Sequence, residues 1–174
     1  MTAYKVSRKD KIFFIIQGFL KYNAFNYGIK LRYYLYKPFF KKMGKNVRIL
    51  DGVTIKYPSF ISVEDNVTIN PMCFIVGLGG LEIKKDCMMG NHSIIVTSTH
   101  NMELIDSSML EQGLSYLPIV IEEDVWIGAG TKIFYGTHIN KGSIVGAGTV
   151  LVKANFPEYS VIAGVPGKVV KMRK

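Results

Sequence analysis

The sequence predicts an all-β fold, a parallel β-helix with an N-terminal helical arm and a short C-terminal tail. Three observations predict it. Aliphatic residues recur at a strict interval of six, as in Ile121, Ile127, Ile133, Ile139, Val145 and Leu151. Every break in that interval falls at the same phase of the repeat. Before Met43 the hexad is absent, and the composition is aromatic and basic.

The interval decides the fold because helices repeat near 3.6 and strands at 2, so a six fits neither. It does fit one short strand plus one corner. Three such units close a triangular coil, and coils stack at about 4.8 Å with the aliphatic residue filling the interior. Four places after each of the first five anchors stands a small or β-branched residue: Val125, Thr131, Thr137, Ser143 and Thr149. Upstream the same grammar runs through Ile49, Ile55, Val63, Ile69, Ile75, Ile83, Met89 and Ile95. Its paired small residues there are Val67, Cys73, Gly79, Cys87, Ser93 and Thr99.

With the three faces lettered a, b and c, the breaks all lie at the corner from c to a. The step is eight from Ile55 to Val63 and from Ile75 to Ile83, and twenty-six from Ile95 to Ile121. Solenoids confine insertions to one side, commonly the binding side. The long insertion, at about 101–118, is polar and long enough to reach a neighbouring subunit. The β-helix is expected over 43–156, with residues 157–174 as a tail.

Residues 1–42 form the arm, expected as one or two short helices ending near Pro38 and Gly44. From Met1 to Arg48 the balance is +11, against −2 for the rest of a chain of net charge +9. The basic character therefore belongs to one end, which favours an anionic surface there. The arm reads as a cap on the open first coil, as a membrane-surface element (Phe13, Ile16, Phe19 and Leu20 among lysines), or as both. No nucleic-acid motif accompanies its lysines and tyrosines.

Cys73 and Cys87 form no disulfide framework or metal motif, and the register turns both inward. The apolar run Ile12–Leu20 is nine residues long, contains Gln17 and Gly18, and precedes no cleavage-site pattern. A span needs about 20 residues. A cytoplasmic location, in contact with the inner face of the membrane, is the expectation.

Of the three histidines, His100 stands at the corner where the long insertion begins. His138 has the same offset from its face-c anchor, so it is expected about one 4.8 Å layer from the His100 column, as an active-site neighbour or a solvated turn residue. His92 belongs to face b and is expected to be structural or exposed. Three histidines converging on zinc would need His92 on another face, so no metal is expected.

Val125-Trp126-Ile127-Gly128-Ala129-Gly130, Val145-Gly146-Ala147-Gly148-Thr149-Val150 and Ala163-Gly164-Val165-Pro166-Gly167-Lys168 resemble the signature stretches of hexapeptide-repeat acyltransferases, over about residue 47 to the C-terminus. The resemblance is to the branch of galactoside and maltose acetyltransferases and of bacterial polysaccharide O-acetyltransferases. It implies a left-handed parallel β-helix, a homotrimer, acetyl-CoA as co-substrate in the groove between prisms, and a sugar or lipid-linked glycan as acceptor. By the same resemblance His100 is the catalytic base and Asn70, thirty residues earlier, a hydrogen-bonding partner in that site. Trp126 would lie beside the coenzyme, with Gly128, Ala129, Ala147, Val152 and Lys153 contacting it and Lys168 near its phosphate. Three features depart from the family pattern. Asn101 stands where a proline often follows the histidine, Lys168 where arginine is common, and the arm lacks the family's sugar-contacting residues. These bear on the acceptor more than on the chemistry.

That chemistry needs few groups. A thioester is already a reactive acyl donor, so one base within hydrogen-bond reach of a hydroxyl suffices without an enzyme nucleophile. An imidazole of pKa about 6.5 suits the task, and a backbone N–H at a corner can face the oxyanion. Acetylation of a serine, an amino sugar or an antibiotic is the alternative within enzymes. A non-catalytic scaffold is the alternative outside them.

Overall fold

A computed structural model describes residues 6–174. The β-helix is present, and its register is the one read from the hexads. Face a stacks six strands, from Lys42–Met43 through Ile61–Val63, Leu81–Ile83, Ile119–Ile121 and His138–Ile139 to Asn155–Phe156. Face b stacks Arg48–Ile49, Thr68–Ile69, Met88–Met89, Trp126–Ile127, Ile144–Val145 and Ser160–Gly164. Face c stacks five, from Thr54–Lys56 to Val150–Leu151. Pairing within each face is parallel, and the anchors pair with one another: Ile83 with Ile121, Ile127 with Val145, Ile95 with Ile133.

The anchors are all buried, and their aliphatic side chains (Met89 a thioether) fill the prism interior. Small polar residues beside them bond to backbone carbonyls of their own or the next coil. Ser93 Oγ donates to the Gly128 carbonyl at 3.1 Å, and Thr131 Oγ1 to the same oxygen at 2.8 Å. Cys73 and Cys87 are buried as expected. Their thiols donate to the carbonyls of Gly90 and Glu122, and burial pushes their pKa values up to about 11 and about 12.

Corners are made by left-handed residues. Asn46, Asn66 and Asp86 hold φ of 54–62° in successive coils, and their side chains form a ladder with bonds of 3.1 and 2.9 Å. The prism also runs past Phe156. Ile162 pairs with Val145 on face b, and Gly167–Met172 then folds back antiparallel on Ser160–Gly164. At the other end Met43 pairs with Val63, one hexad before Ile49.

The arm consists of α1 (Arg8–Leu20) and α2 (Asn26–Tyr36), followed by a single 3₁₀ turn, Lys37–Phe39. Ser7 and Asp10 form a capping box at the start of α1. The arm closes the open end of the first coil. Phe13, Tyr36 and Phe40 plug the interior, with Phe13 edge-on to Tyr36 at 5.0 Å between centroids. Gln17 imitates a missing strand: its amide oxygen accepts from Ile55 N–H at 2.7 Å, and its amide nitrogen donates to the Ile55 carbonyl at 3.1 Å. Arg32, fully buried, donates to the carbonyls of Ile49, Leu20 and Asn23. Edge groups that would otherwise be stranded are thereby paired.

Candidate active site

The long insertion leaves the c-to-a corner as an antiparallel hairpin, Ser98–His100 against Leu114–Tyr116, with His100 opposite Leu114. Because the chain departs there, Thr97 and not Thr99 takes the inward place. Its hydroxyl donates to the Val76 carbonyl at 2.9 Å and accepts from Gly79 N–H. His100 is exposed at the hairpin base, and its imidazole has no hydrogen-bond partner among the described residues. It lines a pocket of about 360 Å³ with Asn101, Glu103, Ser115, Tyr135 and Lys153. The pocket joins the hairpin to the coils above it, so Lys153, two residues past its face-c anchor Leu151, lines it together with His100.

His138 lies elsewhere. The equal offset from the anchor places it on face a, opposite Val120, because its chain stays on the coil while that of His100 leaves it. Its Nε2 sits 3.2 Å from Glu122 Oε1, and it does not line the His100 pocket. His92 is exposed at the b-to-c corner with φ of 57°.

That b-to-c corner holds most of the remaining candidates. Asn70, Gly90, Gly128 and Gly146 succeed one another up its column, each N–H bonded to a face-b carbonyl of the next coil. Asn70 is half-buried, and its amide has no partner among the described residues. Ala129 and Ala147 are exposed just beyond. Only some of these glycines serve positive φ. Gly130 and Gly148 do, at 69° and 71°. Gly128 is required for space, since a Cβ there would lie 2.5 Å from Ala147 N and 2.8 Å from the Val145 carbonyl oxygen. A Cβ at Gly148 would meet nothing within 4 Å, so the corner presents a bare backbone wall to open space.

Trp126 stands beside this wall on face b, 51% exposed, between Met88 and Ile144 of the adjoining coils. Lys168 is exposed on the terminal hairpin opposite Ala163. Val152 is exposed next to Lys153, at the c-to-a corner. The candidate residues therefore fall into two separate groups. His100, Val152 and Lys153 occupy one end of face c, and Asn70, Ala129, Ala147 and Trp126 adjoin the other, up to about 20 Å away for a six-residue side.

Among the described residues no cluster of three metal-ligating side chains exists. The comparisons with known proteins agree with this architecture. The chain is 31% identical over 134 residues to a probable acetyltransferase of Mycobacterium tuberculosis, Rv3034c, covering 76% of this chain and 44% of that one. It is 30% identical over 131 residues to the putative lipopolysaccharide biosynthesis O-acetyl transferase WbbJ of Escherichia coli, covering 69% and 66%. A hexapeptide-repeat acetyltransferase of Vibrio cholerae, VCA0836, solved with acetyl-CoA, superposes with a TM-score of 0.84 at 22% identity over 99% of this chain and 93% of that one. The chain belongs to the hexapeptide-repeat acyltransferase family. A galactoside acetyltransferase solved with coenzyme A shares the fold, with a TM-score of 0.86 at 23% identity over 98% and 84%. No family model matches the chain. This member of the family spans 44% and 66% of the two curated relatives named above.

Proposed function

We propose that the chain is a CoA-dependent O-acetyltransferase that moves the acetyl group of acetyl-CoA to a sugar hydroxyl in bacterial surface polysaccharide synthesis. The observation that carries this reading is the pairing of an unengaged imidazole, His100, with a pocket at the one corner where the chain leaves the prism. The names of the relatives support the class of acceptor.

His100 accepts the proton of the acceptor hydroxyl as its oxygen attacks the thioester carbonyl. The tetrahedral intermediate then collapses, the C–S bond breaks, and the imidazolium returns the proton to the CoA thiolate. The two groups lie on different corners, so the complete site needs the b-to-c corner of a second copy against the hairpin corner of the first. A homotrimer satisfies this at all three grooves. In such a groove Trp126, Gly128, Ala129 and Ala147 of one prism flank the pantetheine arm, Lys168 faces a phosphate, and Asn70 hydrogen-bonds within the site.

The test is CoA release from acetyl-CoA with a panel of sugar acceptors. His100→Ala is expected to fold normally and lose about 10²–10⁴-fold in turnover, whereas His138→Ala, whose ring is held by Glu122, keeps it. Unchanged turnover in His100→Ala overturns the assignment. Release only with amine acceptors moves the reading to N-acetylation, and absence of acetyl-CoA binding by calorimetry supports the scaffold.

A further inference from the structure

The cap explains one face of the arm and leaves the other without a partner among the described residues. On α1 the inward residues are Asp10, Phe13 and Gln17. Opposite them Ile12, Ile15, Phe19 and Tyr22 form a stripe at helical spacing, exposed by 45%, 62%, 86% and 69%. Tyr27, Leu31, Tyr34 and Leu35 of α2 are exposed in the same way, and Phe25 stacks on Tyr27 at 5.5 Å. An apolar, aromatic surface of this extent is uncommon on a protein that meets only water.

Its charges are of one sign. Arg8, Lys9, Lys11, Lys30, Lys37 and Lys41 of the arm are exposed. Asp10 is the one acid among residues 6–48, and it is buried in the capping box of Ser7. Between α2 and the first coil lies a further concavity of about 660 Å³, lined by Lys30, Arg48, Tyr33 and Tyr34. A second copy of this surface would be repelled by it. An anionic surface with an apolar interior is complementary on both counts. No helix among the described residues is long and apolar enough to cross a membrane, so the contact lies along the surface.

We infer that the outer face of α1 and α2 docks on an anionic lipid surface, with Ile15 and Phe19 entering the acyl boundary and the lysines meeting headgroup phosphates. This holds the His100 corner close to a membrane, where a lipid-linked acceptor is presented. The contact stands whether or not the acyl-transfer reading does, since vesicle binding is measured without turnover.

The experiment is co-sedimentation of the full chain with vesicles of phosphatidylglycerol and phosphatidylcholine, and with phosphatidylcholine alone. Binding is expected to the first and about tenfold weaker to the second. Ile15→Glu/Phe19→Glu and Lys11→Glu/Lys30→Glu are each expected to bind the anionic vesicles about tenfold more weakly, with melting temperature and CoA release unchanged. The inference is overturned if the wild-type chain ignores anionic vesicles or if Ile15→Glu/Phe19→Glu binds as wild type does. It is equally overturned if that variant changes the oligomer mass in light scattering, since the stripe would then face another copy.

Discussion

At the scale of the residue, two glycines of one corner separate space from strain. Gly128→Ala puts a methyl into the backbone of the next coil and is expected to cost about 1–3 kcal/mol. Gly148→Ala meets nothing and costs about 1 kcal/mol, for its φ of 71° alone. Thermal melts order the two, at roughly 2–4 °C per kcal/mol for a chain of this size. The sequence shows both as corner glycines, and only the stacking of Ala147 over Gly128 tells them apart. The cysteines carry a pH signature. Their folded pKa values, about 11 and about 12, exceed the unfolded value, so the neutral thiols contribute stability that is complete below about pH 8.5 and lost as pH rises through 11. Denaturant midpoints measured from pH 7 to 10.5 are therefore expected to fall above pH 9. Cys73→Ala/Cys87→Ala is expected to flatten that fall.

At the scale of the element, the hexads are legible because a closed prism accepts one kind of side chain at one place per strand. The arm is legible only in part. Its helices follow from composition and breakers, but nothing in the local sequence marks Gln17 as a surrogate strand or Arg32 as a buried donor. Both roles depend on where the helices dock. Gln17→Ala strands the N–H and carbonyl of Ile55, and is expected to cost about 2–4 kcal/mol in urea unfolding. The hairpin of the insertion behaves oppositely. Its tip makes its own bonds, such as those of Gln112 with Leu104 and of Ser108 with Glu111, and the prism coils pair beneath it. Replacing residues 102–112 with a short turn is expected to leave the melting temperature nearly unchanged while removing Met102 and Glu103 from the pocket and lowering turnover.

At the scale of the whole molecule, sequence spacing placed His100 at the corner where the insertion leaves the prism but misplaced His138. A fixed offset maps to a fixed column only while the chain stays on the coil, and at His100 it leaves. Spacing also cannot show that Asn70 and His100, thirty residues apart, stand at opposite ends of one face. On the proposed reading, that separation makes the catalytic unit a property of two prisms. Co-assembly measures it directly. His100→Ala and Ala147→Trp, each folded and inactive alone, are co-expressed and their CoA release compared with wild type. If His100 of one copy works against the bare corner of another, random mixing restores about a quarter of the sites. If the mixture stays as inactive as its components, the site lies within one chain and the account is contradicted.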